Sequence, residues 1–375
     1  MRIVHFLLGR CDQDSANGVD KTVYYLSKHQ AALGHDVAVF SVTSKPPLWI
    51  PGVMVKTYPP KKVPFLLHDN LLHDLLEWKP DVVHLHSVYI SQNAVLAMWL
   101  RKHKIPYVVT PHGGLSPYVT RRRWYLKVPY KYLFELPMLN GALFVHAVAD
   151  KEDIQAYGVK SPIVEAPNCI DLDQIPNSVN KEILVKHVPE AKGKRVFLFL
   201  GRLDPLHKGL DLLLQAFAQC KLSNAVLILF GPDWKGNKAY LQNLVKTLNL
   251  EGSVFFPGPI YGEEKWHILG AADVFIHTSR WEGLPFGVLE ALAMGRPCLL
   301  TRAADPMGKV AEYKAGIVVE PTVEAIAEGL KSFGDMSQEE LTKMGSQARR
   351  LVEEEFNWEK TVRIIVEAYA RYGQG

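Results

Sequence analysis

The chain has 375 residues, 48% hydrophobic and 22% charged, with four cysteines and a formal net charge of +4. At roughly 150 residues per domain this gives about 2.5 domains as a starting expectation, and it excludes a disordered chain or a fibre. No apolar run exceeds the seven residues 94–100, against about 18 for a membrane-spanning helix.

The first eight residues read as a strand over 2–8, broken by Gly9, Arg10 and Asp12, which argues against a signal peptide. A loop with Asn17 and Gly18 leads to a helix over 19–33, and 36–40 is the next strand. Strands follow at 81–86, 106–110, 142–146 and 163–165, with a helix over 92–103. The segment 168–194 is polar, contains Pro176 and Pro189, and is the expected hinge. Beyond it, strands at 195–200, 225–230, 254–256, 273–277 and 297–300 alternate with helices at 208–220, 237–248, 263–271 and 286–294. Two amphipathic helices, 337–354 and 358–372, close the chain. Such alternation predicts an α/β protein made of two doubly wound parallel-sheet domains facing across a cleft. The expected boundaries are 1–178 and 190–356, with a terminal helix over about 357–375.

Cys11, Cys169, Cys220 and Cys298 are far apart and form no metal or redox pair, which suits a cytoplasmic protein. Asp12/Asp14 and Asp171/Asp173 have no third ligand at useful spacing, so no metal site is expected. Neither a G-x-G-x-x-G fingerprint nor a P-loop follows any predicted strand; the near miss over 231–238 carries Asn237 where the P-loop has lysine.

In open α/β sheets ligands bind beyond the carboxyl ends of the strands. Gly201, Arg202, Lys208 and Gly209 occupy such a place, directly before a helix, where two cations could neutralise a diphosphate. The alternative is that Arg202 and Lys208 pair with Asp204 and Asp211. A second loop holds Glu282, Gly283, Leu284, Pro285, Phe286 and Gly287 and runs into a helix bearing Glu290. Its glycines allow close approach of a ligand to the backbone. Glu290 on an apolar helix requires hydrogen-bond donors: sugar hydroxyls, the neighbouring backbone, or a lysine.

Residues 1–180 hold 19 Lys and Arg against 15 Asp and Glu, a balance of 19 − 15 = +4; the remainder is neutral. No acidic residue occurs over 82–134, where Arg101, Lys102, Lys104, Arg121, Arg122, Arg123, Lys127 and Lys131 cluster. The segment 118–134 interleaves those cations with Trp124, Tyr125, Tyr130 and Tyr132. Such a pattern suits an anionic membrane or a phosphate-bearing lipid, or else is a solvated helix face; no recognition motif supports nucleic acid.

Glu282 and Glu290 form a Glu-x7-Glu motif. With Gly201-Arg202, Lys208-Gly209, Pro167-Asn168-Cys169-Ile170-Asp171, Thr110-Pro111-His112-Gly113 and Phe356-Asn357-Trp358-Glu359, the chain resembles retaining glycosyltransferases of the GT-B fold, group 1 or family four. The resemblance implies a metal-independent hexosyltransferase with no cofactor. Arg202 and Lys208 would hold the diphosphate of a nucleotide-sugar donor, Glu282 the sugar hydroxyls, Glu290 the ribose hydroxyls, and 283–287 the sugar and phosphate. The base would lie at Pro259 and Ile260, Gly18 would approach the phosphate, and His112 would face the reacting sugar. The catalytic set is then His112, Arg202, Lys208 and Glu282. Two departures stand out: Gly18 follows Asn17 where many members have a double glycine, and Cys169 replaces the glycine of a Pro-Asn-Gly turn. A UDP-sugar, UDP-glucose first, and a saccharide or lipid-linked acceptor at the inner face of the membrane are the expected substrates. A GDP-mannose transferase, a GT-B epimerase and a non-catalytic nucleotide-sugar-binding protein are the alternatives.

Overall fold

The structure is a computed structural model that describes residues 1–15 and 17–373. The chain divides into two compact units: 1–168 together with the segment from Trp358 onward, and Cys169–Asn357.

In the first unit β1 (Arg2–Leu7), β2 (Asp36–Val42), β3 (Val53–Tyr58), β4 (Val82–His86), β5 (Tyr107–Thr110), β6 (Val145–Ala147) and β7 (Ile163–Glu165) form one sheet. Its order is β3-β2-β1-β4-β5-β6-β7 and all its pairs are parallel. In the second, β8 (Arg195–Leu200), β9 (Ala225–Phe230), β10 (Val254–Gly258), β11 (Val274–His277), β12 (Cys298–Thr301) and β13 (Gly316–Val319) pair in the order β10-β9-β8-β11-β12-β13, again parallel. Both orders step outward from the first strand and then reverse, so each sheet has a switch point beside β1 or β8. Continuous apolar strands such as Ala225–Phe230 are buried along their whole length, as expected of sheets covered on both faces. Phe6, Phe40, Leu85 and Val109 centre one core; Phe197, Phe199, Leu227 and Phe333 centre the other.

The terminal helix Trp358–Gly373 packs on helix Gly18–Ala32 of the first unit. The Trp358 ring lies 5.8 Å from Tyr25 and 5.9 Å from His29. The last two residues of the helix expected over 357–375 lie outside the described residues.

Some expectations need correction. The alternation as read omits β3, β13 and the helices Asp69–Trp78 and Val323–Asp335. Both strands are sheet edges and only partly buried; their apolar runs are short, Val53–Val55 in β3 and Ile317–Val319 in β13. The helix expected over 208–220 is two helices, Pro205–Lys208 and Leu210–Cys220, separated at Gly209 (φ +63°). The polar segment 168–194 is not an open hinge throughout: helix Glu182–His187 packs on helix Gly262–Ala271, and His187 bonds Glu264 at 2.8 Å.

Candidate active site

In the second unit the loops after β8, β9, β10 and β11 meet at the carboxyl edge of the sheet. A Cβ on Gly231, after β9, would lie 1.7 Å from the Gly201 carbonyl, so these two loops touch backbone to backbone. The Gly231 amide in turn donates to the Gly258 carbonyl at 2.9 Å, tying in β10, with Pro259 and Ile260 directly following. Ile260 is buried and Pro259 exposed. The Arg202 guanidinium sits over the Trp234 ring, 4.4 Å from its centre.

Asp204 caps helix Pro205–Lys208 by accepting from the His207 amide at 3.1 Å. The left-handed turn at Gly209 then lets the chain pass the β11 loop, where a Cβ would lie 2.0 Å from the Thr278 carbonyl oxygen. The Thr278 hydroxyl donates to the Lys208 and Gly209 carbonyls at 3.1 and 3.2 Å. Arg280 grips Asp211 with its two terminal guanidinium nitrogens, Nη1 and Nη2, at 2.9 and 2.8 Å. Thus Asp204 serves as a cap and Asp211 belongs to Arg280, so neither neutralises Arg202 or Lys208 as the structural alternative required.

The partner of Lys208 is Glu282. Nζ donates to Glu282 Oε1, which also accepts from the Ser279 hydroxyl at 2.7 Å and from His277 Nε2 at 3.0 Å. His207 Nε2 lies 3.6 Å from the same oxygen while donating to the Trp281 carbonyl at 3.0 Å. Burial alone would raise the Glu282 carboxyl, but the Lys208 ammonium and the His277 bond outweigh it, holding the group well below the usual carboxylate range. Burial and then Lys208 push His277 downward, so the ring is neutral with its proton on Nε2. Every one of these contacts falls on Oε1; among the described residues Oε2 has no protein donor and is the oxygen left to a ligand.

Glu290 behaves differently. It lies on helix Phe286–Ala293, buried, and accepts from Lys265 Nζ at 2.9 Å. Lysine is thus one of its donors, the second of the non-ligand readings. Gly287 brings that helix close to β8, a Cβ there lying 3.1 Å from the Leu200 carbonyl oxygen. Leu284 and Phe286 are buried and Gly283 is partly exposed.

In the first unit His112 follows β5 in a left-handed conformation (φ 53°), a strained choice for a side chain with a Cβ. Asp150 holds the turn by accepting from the Gly113 amide at 2.9 Å. Cys11, Ser87 and Tyr89, after β1 and β4, share that positive φ, so strain gathers at this sheet's carboxyl edge. His112 Nε2 lies 3.0 Å from His86 Nδ1. Gly18 is the exposed first residue of helix Gly18–Ala32, with Asn17 as the cap. Asn168 accepts from the Thr22 hydroxyl at 2.9 Å.

Sequence reasoning missed His277, Ser279, His207, Lys265 and, in the first unit, His5, His84 and His86. The signal for His84 and His86 was available. Histidines at alternate positions of a strand buried on both faces each need a partner.

Two all-parallel, doubly wound sheets, each with its own set of strand-end loops, define the class: a GT-B α/β protein. Residues 16–174 match the family Glycosyltransferase Family 4, and residues 180–351 match Glycosyl transferases group 1. The chain belongs to the group 1 glycosyltransferases. An uncharacterised glycosyltransferase of Methanocaldococcus jannaschii is 26% identical over 286 residues, 71% of this chain and 64% of that protein. A UDP-Gal:alpha-D-GlcNAc-diphosphoundecaprenol alpha-1,3-galactosyltransferase of Escherichia coli is 29% identical over 60% of this chain and 58% of its own length. The matched part thus spans less than two thirds of these relatives. Among solved structures, sucrose-phosphate synthase of Thermosynechococcus elongatus superposes with a TM-score of 0.82 at 19% identity, covering 99% and 98% of the two chains. Anabaena HepE in complex with UDP and glucose gives 0.78 at 20% identity, covering 99% and 100%.

Proposed function

We propose that the protein is a retaining, metal-independent hexosyltransferase that moves a sugar, glucose first, from a UDP-sugar to a lipid-linked saccharide. The observation that carries this is Glu282: an ionised, largely buried carboxylate held on one oxygen by Lys208, His277 and Ser279, whose other oxygen could accept from a ligand. A fixed acceptor of this kind suits neutral hydroxyls. Lys208 Nζ has three protons and gives one to Glu282, leaving two for a diphosphate. With Arg202 it supplies preorganised positive potential where leaving-group charge develops.

In the proposed step the acceptor oxygen forms its bond to the anomeric carbon on the face from which the phosphate departs. The bond from that carbon to the phosphate oxygen breaks, and this oxygen takes the acceptor's proton. His112 offers a neutral imidazole to a sugar hydroxyl. Pro259 and Ile260 would flank the base, Glu290 the ribose, and Gly18 the phosphate.

The UDP preference draws on HepE, solved with UDP and glucose. The lipid-linked acceptor draws on the galactosyltransferase relative and on the 118–134 segment. There a cavity of about 350 Å³ is lined by Arg121, Trp124, Lys127, Lys131, Tyr89 and Tyr157, with Asp153 its one acid, a hollow of net positive charge suited to a phosphate-bearing acceptor. Membrane contact through this segment would place the enzyme at the inner face of the bilayer.

A thermal-shift screen of UDP-, GDP- and ADP-sugars tests the donor, since a ligand bound only by the folded form raises the melting temperature. UDP-glucose should give the largest rise. Lys208→Ala should abolish that rise and lower turnover by about 100-fold or more; near-normal turnover by a folded variant would sink the assignment.

A further inference from the structure

The first unit buries a row of histidines in direct contact. His5 Nε2 lies 2.7 Å from Gln30 Oε1, His5 Nδ1 lies 3.0 Å from His86 Nε2, and His86 Nδ1 lies 3.0 Å from His112 Nε2. Burial keeps the rings neutral, lowering His5 to about 4, His112 to about 3 and His86 well below its usual value. A neutral imidazole has one N–H and one lone pair. Three contacts in series then allow two arrangements only, with every N–H aimed towards Gln30 or every one towards His112.

A second row selects between them. His146 Nε2 lies 2.8 Å from the Ala166 carbonyl, which can only accept, so its proton is there. His146 Nδ1 must accept from the Thr110 hydroxyl (2.8 Å), Thr110 from His84 Nε2 (2.5 Å), and His84 Nδ1 from the Tyr369 hydroxyl (2.6 Å). Tyr369 has thereby committed its proton, and its oxygen can only accept from Gln30, which bears on that hydroxyl. Gln30 Nε2 is buried and makes no hydrogen bond of full geometry to any described residue, so no other acceptor competes for it. The Gln30 oxygen faces His5 at 2.7 Å, which leaves the amide nitrogen as the group that bears on the Tyr369 oxygen.

We infer that Gln30, acting through His5 and His86, is a positioning residue that fixes His112 in the Nε2–H tautomer and leaves Nδ1 as a hydrogen-bond acceptor. His112 is partly exposed, and among the described residues Nδ1 has no protein partner. The role in transfer rests on the reading above that His112 meets the donor sugar; the tautomer does not. The ring nitrogens of His5, His84 and His86 are close enough to hold a metal ion. All six are engaged in the hydrogen bonds above, and a cation would have to displace those protons.

Long-range ¹H–¹⁵N NMR of the full chain labelled at histidine reads the tautomer directly, with His112→Gln assigning the signal. The wild type should show His112 protonated at Nε2. Gln30→Leu, which removes the anchoring acceptor, should populate the Nδ1–H form, whereas Gln30→Glu, which restores an acceptor, should not. An Nδ1–H His112 in the wild type overturns the inference whether or not the variants fold, as does an unchanged tautomer in folded Gln30→Leu. In kinetics, Gln30→Leu should lower kcat about tenfold or more with donor KM nearly unchanged, and Gln30→Glu should recover it. A shifted tautomer with unchanged kcat would remove His112 from the transfer step while leaving the hydrogen-bond polarity in place.

Discussion

Lys265 Nζ lies 2.9 Å from Glu290 Oε1, with both side chains buried, so the second acid of the Glu-x7-Glu motif is an ion-pair partner. Breaking a buried pair leaves one charge uncompensated and costs about 3–5 kcal/mol. Lys265→Met should lower the melting temperature by about 10 °C on that basis. Lys265→Met/Glu290→Gln should recover most of the loss. If Glu290 also holds the ribose, the double variant regains stability without donor affinity. A single variant melting like wild type would show that other contacts satisfy Glu290.

Gly209 places Lys208. Its φ of +63° costs a residue with a Cβ about 1–2 kcal/mol. The added atom would also lie 2.0 Å from the Thr278 carbonyl oxygen, which is backbone and cannot swing aside. Gly209→Ala should therefore force apart the loops after β8 and β11 and detach Lys208 from Glu282. The expected result is a lower melting temperature together with loss of transfer; a variant with normal turnover would show that the two loops need not touch.

The buried histidines make stability depend on pH with a definite sign. Burial lowers His5 and His146 to about 4, below the unfolded value near 6.5. The unfolded chain thus takes up protons that the folded chain refuses. Their contribution is fully present above about pH 6.5 and falls by about 1.4 kcal/mol per ring for each pH unit down to about 4. Burial raises Glu135 to about 7, which acts in the opposite sense. Comparing His146→Gln with wild type isolates one ring: melting curves from pH 7.5 to 5 should converge as pH falls. Parallel curves would mean that His146 already carries a proton when folded.

How much of this was legible in the sequence follows from which contacts are local. Gly201, Lys208 and Glu282 could be placed because each lies in a loop region after an apolar strand, and Glu290 because it is an acid on an otherwise apolar helix. Their partners could not. Lys208 and Glu282 are 74 positions apart and meet only because β8 and β11 are neighbours in the sheet. Lys265 reaches Glu290 from another helix. The His5–His86 contact needs β1 beside β4, a register that an isolated strand pattern does not contain. Gly209 read as helical because the apolar spacing continues through it; only the crossing of Thr278 requires the break.

The basic segment gains a second strip in the fold. Phe65 packs on Phe134 with ring centres 5.2 Å apart, joining exposed Val63 and Leu66 to exposed Trp124, Tyr132 and Leu133. Lys61 and Lys62 lie beside the first strip, and Arg121, Arg122, Arg123, Lys127 and Lys131 beside the second. Among the described residues no helix is long and apolar enough to cross a membrane. Interfacial binding would instead combine apolar insertion with attraction to anionic lipid, worth about 1 kcal/mol per basic residue near the surface. Vesicles containing phosphatidylglycerol should co-sediment the wild type at low salt and release it as salt rises. The Arg121→Glu/Arg122→Glu/Arg123→Glu variant should bind at least tenfold more weakly, on the order of the lost attraction. Phe65→Ser/Trp124→Ser should weaken binding without changing its salt dependence, because it removes inserted surface and no charge. Equal binding by wild type and the triple variant would remove membrane contact from the reading.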